Sequence, residues 1–158
     1  MNTGEVRIRE YRENDFPAIL DIKSPGEEDT YCHAVFIRQI AVLFPGLFLI
    51  AEDGDGKIIG YTIGGLTSGE QRSGLVMRLF VSPDSRRCGT GRLLMRELSR
   101  RFMYYGADSM VLTVSPSNGA ALNMYLSLGF SKSDYISNYF GLGEDRIVMA
   151  APLHQGRN

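Results

Sequence analysis

The spacing of hydrophobic positions changes several times along the chain, and each change predicts an element. Val6, Ile8 and Tyr11 alternate with charged residues, as in a half-buried strand. Asn14 or Asp15 then stands where a helix cap belongs, ahead of a helical pattern over Phe16 to Ile22 with Pro17 in the first turn. Ser24-Pro25-Gly26 breaks that pattern. A second helix is expected from about Glu28 to Leu43, with Val35, Ile40 and Leu43 toward the core and Pro45-Gly46 ending it. Leu47 to Ala51 reads as a strand, joined by the turn Asp53-Gly54-Asp55-Gly56 to a partner over Lys57 to Leu66.

After the polar loop Thr67 to Arg72, Gly74 to Val81 returns as a strand. A longer helix follows over Thr90 to Tyr105, with Leu94, Leu98, Phe102 and Tyr105 on one face and Gly106 as its stop. Met110 to Val114 is a strand and Asn118 to Leu128 a helix ended by Gly129. Phe130 to Phe140 reads as a strand, Gly141 to Asp145 as a loop, and Arg146 to Ala150 as the last strand. The order β-α-α-β-β-β-α-β-α-β-β predicts an α/β sheet of mixed strand direction. One domain over 1–151 is expected, with 152–158 as a short tail.

Composition narrows the partners more than the fold. The chain has 158 residues, 44% of them apolar, enough for one substantial core. A formal net charge of -1 gives no global attraction to nucleic acid or to an anionic membrane, so neither is expected as a partner. Cys32 and Cys88 fit a reduced compartment, and neither lies in a metal-ligand spacing, so no metal is expected. The first twelve residues lack the apolar run of a signal peptide, and the longest apolar stretch, Ile40 to Ala51, is interrupted by Pro45-Gly46 and too short for a bilayer. A cytoplasmic protein is expected; the sequence carries no indication of oligomeric state.

The candidate chemistry gathers where the strand ending at Val81 meets the helix starting at Thr90. Between them the chain reads Ser82-Pro83-Asp84-Ser85-Arg86-Arg87-Cys88-Gly89-Thr90-Gly91-Arg92. The first amides of a helix lack intrahelical acceptors and lie at the positive end of its dipole, so they suit phosphate oxygens. Gly89 and Gly91 would let the backbone approach those oxygens, and Arg86, Arg87 and Arg92 add charge. Gly-x-Gly alone equally fits an ordinary strand-to-helix connection. A Walker loop is excluded because no Gly-x4-Gly-Lys-Ser/Thr occurs, and the dinucleotide fingerprint because Leu94 stands where its third glycine belongs.

Val81-x-Pro83 followed by Arg86-x-x-Gly89-x-Gly91 resembles the acetyl-coenzyme A signature of the Gcn5-related N-acetyltransferase (GNAT) superfamily. A second block, Val114-x3-Asn118-x2-Ala121-x3-Tyr125-x3-Gly129-Phe130, resembles that superfamily's other conserved segment, in the right order and at the right distance. The resemblance implies the GNAT fold, a twisted, mostly antiparallel sheet of about seven strands flanked by about four helices. It implies acetyl-coenzyme A as the acetyl donor and a primary amine as acceptor. Main-chain groups of Leu79, Phe80 and Val81 would pair with the pantetheine arm, and amides from Arg87 through Cys88, Gly89, Thr90 and Gly91 to Arg92 would hold the pyrophosphate. Asn118 would bond the pantetheine side, or serve only as a helix cap. Tyr125 would sit near the sulfur as proton donor; by spacing alone it is equally a core residue. Cys88 is expected to contribute its amide, because the resemblance implies direct transfer.

Phe44-Pro45-x-Leu47-Phe48-Leu49-x-Ala51-Glu52, together with Asn138-Tyr139-Phe140 and Gly143-Glu144-Asp145, is similar to the ribosomal-protein alanine and other N-terminal acetyltransferases. That likeness implies a protein N-terminal α-amine as acceptor, with Tyr139 against it, although Tyr139 also fits a plain strand aromatic. The alternatives are a small-molecule amine or antibiotic acetyltransferase, or a non-catalytic acyl-coenzyme A binding module. Relatives carry Glu or His where this chain has Thr113, whose hydroxyl is no base near neutral pH. An α-amine with pKa of about 8 is roughly a tenth neutral at pH 7, a cost of about 1.4 kcal/mol, against about 4.6 kcal/mol for a lysine. A missing strong base is therefore more tolerable for an N-terminal acceptor. Water passed through Thr113, or Glu70, remains open as the proton acceptor; His33 on the second helix and His154 in the tail are not favoured. Residues 24–29 lie where relatives shape the pocket for the first acceptor residue, without matching their motif.

Overall fold

The computed structural model describes residues 5–22 and 29–154. The breaker at Ser24-Pro25-Gly26 and all of the 24–29 pocket segment except Asp29 lie outside those residues, as do 155–158. Seven strands form one sheet in the order β1-β2-β3-β4-β5-β7-β6: β1 Arg7–Glu10, β2 Phe48–Glu52, β3 Ile58–Leu66, β4 Ser73–Val81, β5 Ser109–Val114, β6 Ser131–Ile136 and β7 Arg146–Pro152. The helices are α1 Phe16–Asp21, α2 Thr30–Leu43, α3 Thr90–Tyr104 and α4 Gly119–Ser127. β4 and β5 pair in parallel, whereas β1 with β2, β2 with β3, β5 with β7 and β6 with β7 are antiparallel.

The chain divides into two compact units, residues 1–64 with 77–98, and residues 65–76 with 99–158. The first is built on Ile19, Ile37, Ile40, Phe48, Ile50, Tyr61, Ile63 and Phe80, all buried. Phe48 opposes Ile63, and Ile50 opposes Tyr61, so β2 and β3 deliver these side chains to one face of the pleat. Below them Arg9 bridges Asp15 and Glu52 with nitrogen-oxygen distances of 2.7 and 2.5 Å. Asp15 stands at the N-cap of α1 without capping it by side chain. Its carboxylate instead accepts from Arg9 and from the Arg12 amide.

In the second unit β5 and β7 both alternate strictly between half-buried and buried positions, burying Met110, Leu112 and Val114 on one and Ile147, Met149 and Ala151 on the other. Phe102 of α3 lies flat on β4 at Gly74, where a Cβ would come within 2.3 Å of its ring. Only glycine fits there.

Four expectations need correction. On α2 the buried residues are His33, Ile37 and Ile40, while Leu43 is exposed, because a helix apolar on most sides does not declare its inner face. β6 stops at Ile136 instead of reaching Phe140, so Tyr139 belongs to a loop. The turn begins because Asn138 takes φ of 53°, a left-handed conformation that no strand accommodates. Tyr105 lies past the end of α3, and β7 extends through Pro152 into the expected tail.

Candidate active site

The first unit holds the end of β4, from Met77, and the loop after it. Phe80 is buried in the core cluster and Met77 packs against it half-buried. Thr62, fully buried on β3, donates its hydroxyl to the carbonyl of Arg78 at 2.7 Å, just before the stretch assigned to the cofactor. Gly60 keeps the neighbouring strand out of the way, since a Cβ there would meet the Phe80 carbonyl oxygen at 2.7 Å. Neither Thr62 nor Gly60 was marked by sequence, because each acts across to a strand some twenty residues away.

The loop then turns on a short 3-10 segment, Pro83–Ser85, fixed by the Ser82 amide donating to the Ile59 carbonyl at 2.8 Å. Arg86 lies back along the strand and donates Nε–H to the Val81 carbonyl at 3.0 Å, so one expected cofactor arginine is also an anchor for the loop. Arg87 and Gly89 take φ of 62° and 83°. Around Gly89 nothing lies within 4 Å of where a Cβ would be, which leaves an open cradle at the start of α3. The first helical bond runs from the Leu93 amide to the Gly89 carbonyl, which leaves the amides of Thr90, Gly91 and Arg92 without helical acceptors. Thr90 is buried and its hydroxyl has no hydrogen-bond partner. Arg86, Arg87, Cys88 and Arg92 are exposed beside this opening. A turned, uncrowded main chain, a helix N-terminus and flanking guanidinium groups together fit a diphosphate.

On the same unit His33 of α2 meets β4. Arg78 Nη1 lies 2.8 Å from His33 Nδ1, and the Arg78 guanidinium stands 4.8 Å over the Phe36 ring. A guanidinium has only donors to offer, so Nδ1 accepts and the imidazole is held neutral with its proton on Nε2. Buried and bonded to Arg78, His33 links α2 to β4.

The second unit carries the remaining candidates. Tyr125 is buried on α4 with its ring 5.7 Å from that of Phe130. Burial pushes its phenol up to about 12. Burial alone accounts for that shift. Asn118 caps α4, its Oδ1 accepting from the Ala121 amide at 3.1 Å, so only its NH2 remains for a second role. Thr113 is half-buried on β5, opposite Val148. Tyr139 is half-exposed in the loop from β6 to β7, its ring edge-on to Phe140 at 4.7 Å. Glu70 lies exposed in the loop between β3 and β4, and His154 exposed just past β7. Among the described residues there is no group of three or more His, Cys, Asp or Glu that would hold a metal, and no helix long and apolar enough to cross a membrane.

Known proteins resemble this chain along most of its length. The acetyltransferase (GNAT) family model matches residues 7–130. An N-alpha-acetyltransferase from Sulfurisphaera tokodaii is 30% identical over 159 residues, covering 94% of each chain. The ribosomal protein bS18 alanine N-acetyltransferase of Salmonella typhimurium is 28% identical, covering 88% of this chain and 92% of its own. Among solved structures, Chaetomium thermophilum Naa20 in complex with a bisubstrate analogue superposes with a TM-score of 0.79 at 26% identity, over 93% of this chain and 86% of that one. With the family model spanning most of its length and a relative matching it end to end, the chain belongs to the GNAT family of acetyltransferases.

Proposed function

We propose that the protein transfers the acetyl group of acetyl-coenzyme A directly to the α-amino group at the N-terminus of a protein in the cytoplasm. Two kinds of observation support the reading. The end of β4, where Gly60 leaves room beside the Phe80 carbonyl, and the helix opened by Gly89 suit a pantetheine arm followed by a diphosphate. End-to-end likeness to an N-alpha-acetyltransferase, at 94% coverage of both chains, favours the acceptor and is the observation that carries it.

Acetyl-coenzyme A supplies an activated thioester carbonyl with a sulfur leaving group. In this reading the amides of Thr90, Gly91 and Arg92 hold the diphosphate, Arg87 and Arg92 balance its charge, and main-chain groups of Leu79, Phe80 and Val81 align the pantetheine and face the carbonyl oxygen. Asn118 offers its NH2 to the same arm while its oxygen stays on the helix cap.

Tyr125 serves the sulfur, and its protonation defines how. A phenol held near 12 remains protonated at any physiological pH, so it donates and never accepts. Giving that proton up entirely to a thiolate of pKa about 8.5 would cost roughly 5 kcal/mol. Tyr125 therefore steadies the departing sulfur by a hydrogen bond, and the proton that balances the reaction comes from the attacking amine. Thr113 is no base, and an α-amine needs only water relayed past its hydroxyl, being already about a tenth neutral at pH 7. Tyr139 packs against the acceptor's first residues.

A panel of peptides with free N-termini, the same peptides blocked at the α-amine but carrying lysine, and free polyamines and aminoglycosides tests this by release of coenzyme A thiol. Turnover is expected on the free N-termini alone. Turnover confined to polyamines or aminoglycosides overturns the acceptor, and binding of coenzyme A without turnover on any amine overturns catalysis.

A further inference from the structure

The loop from β6 to β7 is exposed along most of its length, yet its backbone is held by a ring of hydrogen bonds centred on one carboxylate. Asp145 accepts from the Tyr135 hydroxyl on Oδ2 at 2.5 Å and from the Asn138 amide on Oδ1 at 2.8 Å. Asn138, in its left-handed conformation, turns its own Oδ1 to the Gly143 amide at 2.7 Å and its carbonyl to the Gly141 amide at 3.1 Å. The Glu144 amide closes back on the Gly141 carbonyl at 2.9 Å. Arg146 stacks over the Phe140 ring at 4.8 Å and pairs with Glu144 at 3.0 Å. Loops that bury so little apolar surface are ordinarily the most mobile part of a fold. Here polar side chains fix the main chain on both sides of Tyr139, while Tyr139, Phe140 and Leu142 stay 47%, 64% and 96% exposed. A backbone held in place beneath uncovered rings is the arrangement of a contact surface prepared in advance.

We propose that Asp145 is a positioning residue for the acceptor: by fixing Asn138 in its left-handed turn, it sets the direction in which the Tyr139 ring leaves the main chain toward the bound peptide. The inference rests on the reading of Tyr139 as an acceptor contact. Asp145 itself is no base, because both of its oxygens are engaged and the Tyr135 hydroxyl, followed by the Asn138 amide, holds its carboxyl below the usual carboxylate range.

The test is a double-mutant cycle in the full chain, with steady-state kinetics on an N-terminal peptide and on acetyl-coenzyme A separately. Asp145→Ala is expected to raise the peptide KM about tenfold while the acetyl-coenzyme A KM and kcat at saturating peptide stay within about twofold. Tyr139→Ala is expected to raise the peptide KM at least as much, and the double variant no further than Tyr139→Ala alone. Tyr135→Phe keeps the carboxylate but removes one of its two bonds, so it gives a smaller rise of about threefold and serves as the readout if Asp145→Ala does not fold. An inert Asp145→Ala or Tyr135→Phe beside a damaging Tyr139→Ala, or additive effects in the double variant, overturns the positioning role while leaving the Tyr139 contact standing. An inert Tyr139→Ala overturns the contact and, with it, the inference.

Discussion

The hydroxyl of Thr62 on β3 donates to the carbonyl of Arg78 on β4 at 2.7 Å, and Thr62 is wholly buried. A side chain thus gives a donor to a main-chain acceptor of β4, just before the stretch assigned to pantetheine. Thr62→Val keeps the shape and removes the donor. It is expected to lower unfolding free energy by about 1–3 kcal/mol in urea titration. Because the same stretch faces the thioester in the proposed pose, the KM for acetyl-coenzyme A rises as well, with the peptide KM unaffected.

Tyr125→Phe removes the hydroxyl while keeping the ring on Phe130. Turnover is expected to fall about 10²-fold, as when one transition-state donor is lost, with little change in the dissociation constant for coenzyme A. The phenol also sets the alkaline behaviour. Its folded pKa is raised to about 12 by burial, so the donor form is complete well past pH 10, and kcat for the wild type is expected not to decline between pH 8 and 10. A decline there that disappears in Tyr125→Phe would assign the ionisation to this residue and contradict the burial argument.

The parts of the fold legible in the sequence are those where a local period meets a one-sided environment. α3 carries Leu94, Leu98 and Phe102 on a single stripe, all of them buried, whereas β5 and β7 are legible only as short apolar runs, whose alternating burial appears in the fold. Where the exposed face is apolar as well the period disappears: Tyr31, Val42 and Leu43 of α2 face solvent, and nothing local selects His33 over Leu43 as the residue that turns inward. The loop from β6 to β7 was hidden by the aromatic run Tyr139-Phe140, which has strand propensity; what breaks the strand is Asp145, seven residues on, drawing Asn138 into a left-handed turn. The glycine and arginine pattern of the 86–92 loop was visible as a pattern. That Thr62 and Gly60 shape β4 from outside is a long-range fact that no short window of sequence contains, while the bond from Arg86 back to Val81, only five residues away, depends on a turn that the residue pattern does not specify.

Asp15 predicts a specific acid sensitivity. Burial raises its carboxyl, but the Arg9 hydrogen bond and the Arg12 amide outweigh that and leave it below the usual carboxylate range, while Arg9 stays charged throughout. A depressed carboxyl stabilises the fold above its unfolded pKa of about 3.9 and loses that contribution as pH falls through the folded value. Urea midpoints for the wild type should therefore drop below about pH 4. Asp15→Asn should cost roughly 1.5–3 kcal/mol at pH 7, the range for a hydrogen bond to a charged group, and flatten the pH dependence below 4. Equal slopes in the two proteins would exclude Asp15 as the titrating group.

Gly60→Ala separates crowding from conformational preference at β4. Gly60 is not among the positions of positive φ, so alanine is at home in its backbone conformation and the strand would gain in propensity from losing a glycine. The obstacle is spatial: the added methyl would stand 2.7 Å from the Phe80 carbonyl oxygen and 3.3 Å from the Val81 Cα, both main-chain atoms that cannot rotate away. β3 must then move off β4, at a cost of about 1–3 kcal/mol typical of overpacking, read as a lower urea midpoint at unchanged slope. Because Phe80 and Val81 belong to the strand assigned to pantetheine, the KM for acetyl-coenzyme A is expected to rise several-fold while the peptide KM holds. Gly89→Ala makes the contrasting case. Its φ of 83° penalises any side chain by about 1–2 kcal/mol although nothing lies within 4 Å of the new methyl. If Gly60→Ala proves as stable as wild type, the strands tolerate a wider spacing at Phe80 and the close approach at Gly60 has no part in shaping the cofactor strand.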